Sequence, residues 1–96
     1  MSVYLIAQLN IHDRVTYDKY VSGFMEIFDK YGGRVLAVDE AAKVLEGHWD
    51  YARTVLLEFP TQAQANALYY SAEYQDLAQH RHAASDANIV LIGGAA

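Results

Sequence analysis

An α+β domain with chain order βαββαβ is predicted by three observations: period-two apolar alternation at the N-terminus, two segments with apolar residues at steps of three and four, and strand-like runs following each segment. Val3 to Ile11 reads as the first strand, with Val3, Leu5, Ala7, Leu9 and Ile11 on an apolar face and Tyr4, Ile6, Gln8 and Asn10 on a mixed one. Asp13 is a suitable N-cap for a helix whose stripe is Tyr17, Tyr20, Val21, Phe24, Phe28 and Tyr31. Gly32-Gly33 ends it, because glycine accepts the left-handed conformation that closes a helix.

Arg34 to Val38 and Lys43 to Gly47 are short strand-like pieces split by Asp39 to Ala42, and Arg53 to Phe59 is the next strand, reached through a turn near Asp50. After Pro60, Thr61-x-x-Gln64 is a capping box that opens a second helical region. Its stripe is Ala63, Ala67, Tyr70, Tyr74, Leu77 and Arg81, and Ser71 marks a break into two helices. Ala87 to Ile92 is the last strand, and a tail begins at Gly93-Gly94.

Two crossover helices returning the chain to one sheet give a ferredoxin-like, split-βαβ arrangement: a four-stranded antiparallel sheet with the strands at Val3 and Arg53 in the middle and the helices on one face. The bare face then carries Tyr4, Ile6, Leu56, Val90 and Ile92, more apolar area than a monomer comfortably exposes, and a twofold homodimer paired through the sheet faces is expected.

Composition narrows the function classes. The 96 residues leave room for one domain, residues 1–96, with no repeat or linker, and 53% hydrophobic against 20% charged residues is a globular balance. A net charge of −5 opposes both nucleic-acid binding and attachment to an anionic membrane, so neither partner is expected. The RNA-recognition fold shares the βαββαβ order, but its basic-aromatic strand signature is missing. The chain has no cysteine, which excludes disulfides, thiolate nucleophiles and cysteine-ligated metals. The first eight residues lack a basic leader, no apolar run approaches the ~20 residues of a membrane span, and a cytoplasmic protein is the expectation.

Val44-Leu45-Glu46-Gly47-His48-Trp49, then Arg53 to Pro60 ending in Glu-Phe-Pro, then Tyr69-Tyr70-Ser71-Ala72-Glu73-Tyr74 with Arg81 beyond it, resemble domain-of-unknown-function family 1330 over essentially the whole chain. That family looks like a branch of the dimeric α/β barrel superfamily. The resemblance implies a small pocket between sheet and helices or inside the dimeric barrel, and carries no established activity. Relatives in the superfamily include cofactor-independent monooxygenases, haem-degrading enzymes, lactone isomerases, dye peroxidases and stress-response barrels, among which a fold cannot choose. An Asn/Trp/His haem-degrading site does not map residue by residue onto Asn10, Trp49 and His48, and no cofactor is expected.

The candidate pocket residues are Gln8, Asn10, Glu46, His48, Trp49, Arg53, Glu58, Tyr74 and Arg81, with no catalytic residue assigned. Glu58 sits among apolar neighbours, where Arg53, Arg81, Gln8 or a ligand would supply hydrogen bonds; a structural ion pair at the dimer interface is the competing reading. His48 and Trp49 fall in the hairpin region and suit a planar or anionic molecule, although Trp49 equally serves as packing and Glu46 with His48 is only a weak acid–base pair. Tyr74 and Arg81 are seven apart on one helix face and suit a carboxylate-bearing ligand, against a reading in which the tyrosine packs and the arginine pairs with an acid. His80 and His82, two apart, cannot chelate one ion as an i, i+4 pair does, so no metal site is expected. The function these residues support is binding of a small organic ligand, with cofactor-free acid–base or oxygenase chemistry; the alternative is a non-catalytic dimerisation or partner-docking module.

Overall fold

The computed structural model of the chain describes residues 1–94. Its elements are β1 (Val3–Ile11), α1 (Arg14–Phe28), a 3-10 turn (Asp29–Tyr31), β2 (Arg34–Asp39), β3 (Arg53–Phe59), α2 (Gln62–Tyr69), α3 (Ala72–Ala84) and β4 (Ser85–Gly93). The strands form one four-stranded sheet in the order β2-β3-β1-β4, every neighbouring pair antiparallel. This is the ferredoxin-like α+β arrangement predicted from the alternation, with β1 and β3 central.

Local chemistry sets the boundaries. Asp13 caps α1 by accepting the Thr16 backbone N–H at 3.1 Å, and the Ile11-to-α1 corner is pinned by the backbone N–H groups of His12 and Asp13 donating to the Ala84 carbonyl. Gly32 takes φ 77° after the 3-10 turn, the left-handed geometry expected there. Thr61 caps α2 through the Gln64 N–H at 3.1 Å. Ser71 is the break foreseen between helices: its Oγ donates to the Leu68 carbonyl at 2.8 Å and accepts the Tyr74 N–H at 3.1 Å, closing α2 and capping α3 together.

Three sequence expectations are corrected. Lys43 to Gly47 is not a strand: β2 ends at Asp39, whose carboxylate accepts the Ala41 N–H at 2.7 Å, and the following residues through Asp50 form an exposed loop in which Gly47 has φ 78°. The stripe of α2 is displaced, since Ala65 and Leu68 are buried while Ala63, Ala67 and Tyr70 face solvent; the cap at Ser71 restarts the helix and its phase. The last strand runs from Ser85 to Gly93, longer than Ala87 to Ile92, and the Gly94 N–H still pairs with the Ser2 carbonyl at 3.1 Å, so no tail begins at Gly93-Gly94; residues 95 and 96 lie outside the described residues.

The core lies between the sheet and the helices. Ala7, Leu9, Leu57 and Phe59 from the central strands meet Tyr17, Tyr20 and Phe28 of α1, Ala65 and Leu68 of α2, and Tyr74, Ala78 and Ala84 of α3. Phe28 meets Phe59 edge-on at 5.6 Å, and the Phe28–Phe24–Tyr20–Tyr17 series continues along α1 with ring centroids 5.0 to 5.7 Å apart.

On the helix-free face, the register lines up three rows across the sheet: Arg34, Glu58, Tyr4 and Ile92; Ala37, Leu56, Ile6 and Val90; and Asp39, Thr54, Gln8 and Asn88. An apolar row is thus flanked by polar ones.

Ion pairs staple the periphery: Lys30 to Glu73 at 2.9 Å, Arg34 to Glu58 and Arg14 to Glu40. Hydrogen bonds from these cations hold all three glutamates below their usual 4.5. A carboxylate whose folded value is depressed stabilises the fold above its unfolded value and loses that contribution as pH falls through the folded one. The share of thermal stability contributed by these three pairs is therefore expected to be level above about pH 4.5 and to decline below it, and Glu73→Gln should shallow that acid decline when Tm is followed against pH.

Candidate functional site

A cavity of about 230 Å³ lies between the sheet and the helices. Its floor is Leu5, Ala7 and Leu9 of β1 with Val55 and Leu57 of β3; Tyr17, Tyr20 and Phe24 of α1 form one wall, and Tyr69, Tyr74 and Arg81 the other. The space follows from side-chain sizes: Ala7 is small at the centre of the floor, while α1 lies against α3 and reaches the sheet through long aromatic rings. Val21, Met25, Val35 and Val38, all part-exposed, rim the mouth between α1 and the β2 edge.

Polar groups enter this apolar space at a few points. The Tyr20 and Tyr74 hydroxyls hydrogen-bond each other at 2.8 Å, bridging α1 to α3 in the interior. Burial raises Tyr20 above the usual 10, so it stays a neutral phenol. Arg81, only 5% exposed, projects from the last turn of α3 with its guanidinium carbon 5.7 Å from the centre of the Tyr20 ring. Burial works against its charge, but the Tyr74 and Tyr20 phenols outweigh that effect, and the side chain remains a cation. Arg53, at the start of β3, sits 5.5 Å from the Tyr17 ring centre and 3.9 Å from Glu40. The Nε atoms of Arg53 and Arg81 are both buried without a hydrogen-bond partner.

The structure divides the nine residues singled out from the sequence into separate locations. Arg53, Tyr74 and Arg81 line the cavity. Gln8 and Glu58 lie on the opposite, helix-free face, and Glu58 takes Arg34 as its partner at 2.5 and 3.0 Å, in place of the expected Arg53, Arg81 or Gln8. Strand alternation is the reason: Arg53 and Glu58 are five apart on β3 and must point to opposite faces. Asn10 clamps the end of the long loop, donating to the Asp50 carbonyl at 3.1 Å and accepting the Ala52 N–H at 2.9 Å. Trp49 donates from Nε1 to Thr54 Oγ1 at 2.9 Å, and Glu46 and His48 are exposed in that loop, away from the cavity. Tyr20 and Tyr69 were legible only as apolar stripe positions or helix residues; no local signal tells that a tyrosine on a core stripe will turn its hydroxyl to a partner fifty-four residues away.

Comparison with known proteins places this geometry. A family model described as "Domain of unknown function (DUF1330)" matches residues 2–95. No curated protein sequence matches the chain. Among solved structures, the RPA0582 protein of unknown function from Rhodopseudomonas palustris superposes with a TM-score of 0.83 at 17% identity, covering 99% of this chain and 83% of that one. SnoaB, a cofactor-independent oxygenase from Streptomyces nogalater, gives a TM-score of 0.70 at 9% identity, covering 99% and 94%. A dimeric ferredoxin-like protein of unknown function from Jannaschia sp. CCS1 gives 0.67 at 15% identity, covering 98% and 100%. At these identities the likeness is one of fold.

The Tyr20–Tyr74 bridge should behave as a coupled pair. Tyr20→Phe or Tyr74→Phe alone leaves one buried hydroxyl without a partner and is expected to cost about 1–3 kcal/mol, whereas the double change should cost less than the two added together, as read by a denaturant-melt double-mutant cycle.

Proposed function

Because the chain belongs to the DUF1330 family, whose name assigns no activity, we propose a function from the geometry: it binds a small organic molecule in the helix–sheet cavity and works as a homodimer paired through the helix-free sheet face. The observation that carries this reading is the cavity itself. Its volume of about 230 Å³ exceeds the roughly 150 Å³ of an apolar cavity known to take up benzene, so it has room for a ligand of one or two rings. Mostly apolar walls with a few convergent polar groups are the usual make-up of a ligand site. A non-catalytic docking module would be served by a filled interior, and the open volume weighs against it.

Pairing through the sheet is supported by Val90 and Ile92, 52% and 46% exposed in the isolated chain, beside Ile6 and Leu56 in the same rows. The dimeric Jannaschia protein shares this fold and agrees with it. For chemistry, cofactor-independent oxygenation is the reaction printed for the Streptomyces protein, and it is the class we assign for testing. Neutral phenols and a guanidinium in a mostly apolar pocket can hold a substrate in its deprotonated, electron-rich form.

Ligand binding is testable by exposing the protein to one- and two-ring aromatic compounds and following the amide resonances of Ala7, Val55 and Leu57. Ala7→Leu, which puts three carbons into the floor, should weaken binding at least about tenfold and abolish any oxygen uptake supported by the bound compound. Shifts confined to the surface would refute the pocket. Separately, Val90→Glu, which places a charge in the apolar row, is expected to convert a dimer to a folded monomer in sedimentation velocity; a wild-type chain already monomeric at micromolar concentration would end the dimer reading.

A further inference from the structure

We infer that the cavity is built for an acid: a carboxylate carried on an apolar, ring-sized body, seated on the Arg81 guanidinium. The inference rests on the ligand-binding reading above and specifies its substrate class.

Arg81 is a fully charged side chain in a place where charge is costly. It is 5% exposed, its Nε has no hydrogen-bond partner, and among the described residues no carboxylate pairs with it. Buried cations are ordinarily retained with an anion and a full set of acceptors. The Tyr20 ring offers partial compensation, because its face attracts the guanidinium, but a stacking partner leaves the buried in-plane Nε–H without an acceptor. That Nε–H belongs to the guanidinium edge on which a carboxylate can form two parallel hydrogen bonds.

The remaining walls decide what the carboxylate is attached to. Among the described residues no Asp or Glu lines the cavity, while two arginines do. The second, Arg53, also has an unpartnered buried Nε, and its nearest acid, Glu40, is 3.9 Å away and directs its other oxygen to Arg14. The interior is thus a net positive space in a protein of net charge −5, which is a local design and no reflection of overall composition. Leu5, Ala7, Leu9, Phe24, Val55 and Leu57 would surround the rest of the ligand, so a strongly hydrated anion such as inorganic phosphate would leave its other oxygens facing hydrocarbon. A monoanion with an apolar body meets both requirements, and the Tyr20–Tyr74 pair, whose mutual hydrogen bond uses one phenol proton, keeps the other as one further donor.

The test is isothermal titration of the full chain with a matched pair of probes, 2-naphthoate and 2-naphthalenemethanol. The wild-type protein should bind the acid at least about tenfold more tightly than the alcohol, and Arg81→Met should remove that preference, so that the acid-to-alcohol affinity ratio falls to about one. The same variant should melt no lower than wild type, since an uncompensated buried charge has been exchanged for an apolar side chain of similar length. Equal affinity for acid and alcohol in the wild type, or a preference that survives Arg81→Met, overturns the acid assignment and leaves the pocket standing. Binding of neither probe overturns both. If Arg81→Met does not fold, the wild-type comparison decides alone, and Arg53→Met should then narrow the preference.

Discussion

The structure depends on the period-two alternation of β1. A central strand bonded by β3 on one side and β4 on the other, it sends Leu5, Ala7 and Leu9 toward the helices and Tyr4, Ile6 and Gln8 the other way. A slip of one residue would exchange those sets, putting Gln8 and Asn10 into the aromatic core and Leu9 into solvent. Its neighbours copy the choice: Val55 and Leu57 share the helix side, and Thr54, Leu56 and Glu58 share the other. One strand thereby creates two unlike surfaces.

On the covered side, packing and vacancy have a common origin. The rings of α1 form a continuous edge-and-stack series down to Phe59, which fixes the height of the helix over the sheet. Beside that series the central floor residue is Ala7, and the space its missing carbons leave is bounded by tyrosines and arginines. Voids and unpaired cations in a core both lower stability. Their coincidence at one place, with the Tyr20–Tyr74 bridge beside them, is the pattern expected where stability has been exchanged for a binding function.

On the bare side, Glu58 has a different character from the one its apolar neighbours suggest. Paired with Arg34 across β2 and β3, it is an anchored charge flanking an apolar row, as a polar border flanks an interface core. The long loop after β2 is tied to the same side by Asn10 and by the Trp49–Thr54 hydrogen bond. The chain belongs to the DUF1330 family and shares its fold with dimeric ferredoxin-like and oxygenase structures.

By itself the sequence determined what local periodicity and capping can determine. Alternation in Val3 to Ile11 identified the central strand and its faces, Asp13, Thr61 and Ser71 identified three helix starts, and element order gave the topology. Arg53, Tyr74 and Arg81 could be marked as polar residues in suggestive company, yet their meeting in one cavity depends on the register of β3 against β1 and on where α3 lands. Tertiary structure alone settled that Glu58 points away from them, that Lys43 to Gly47 finds no strand to pair with, and that the hydroxyl of Tyr20 finds Tyr74. The physical reason is range: caps and periodicities act within a turn or two of chain, whereas a cavity is the space left over when distant side chains have been placed, and only the assembled fold sets its shape and charge.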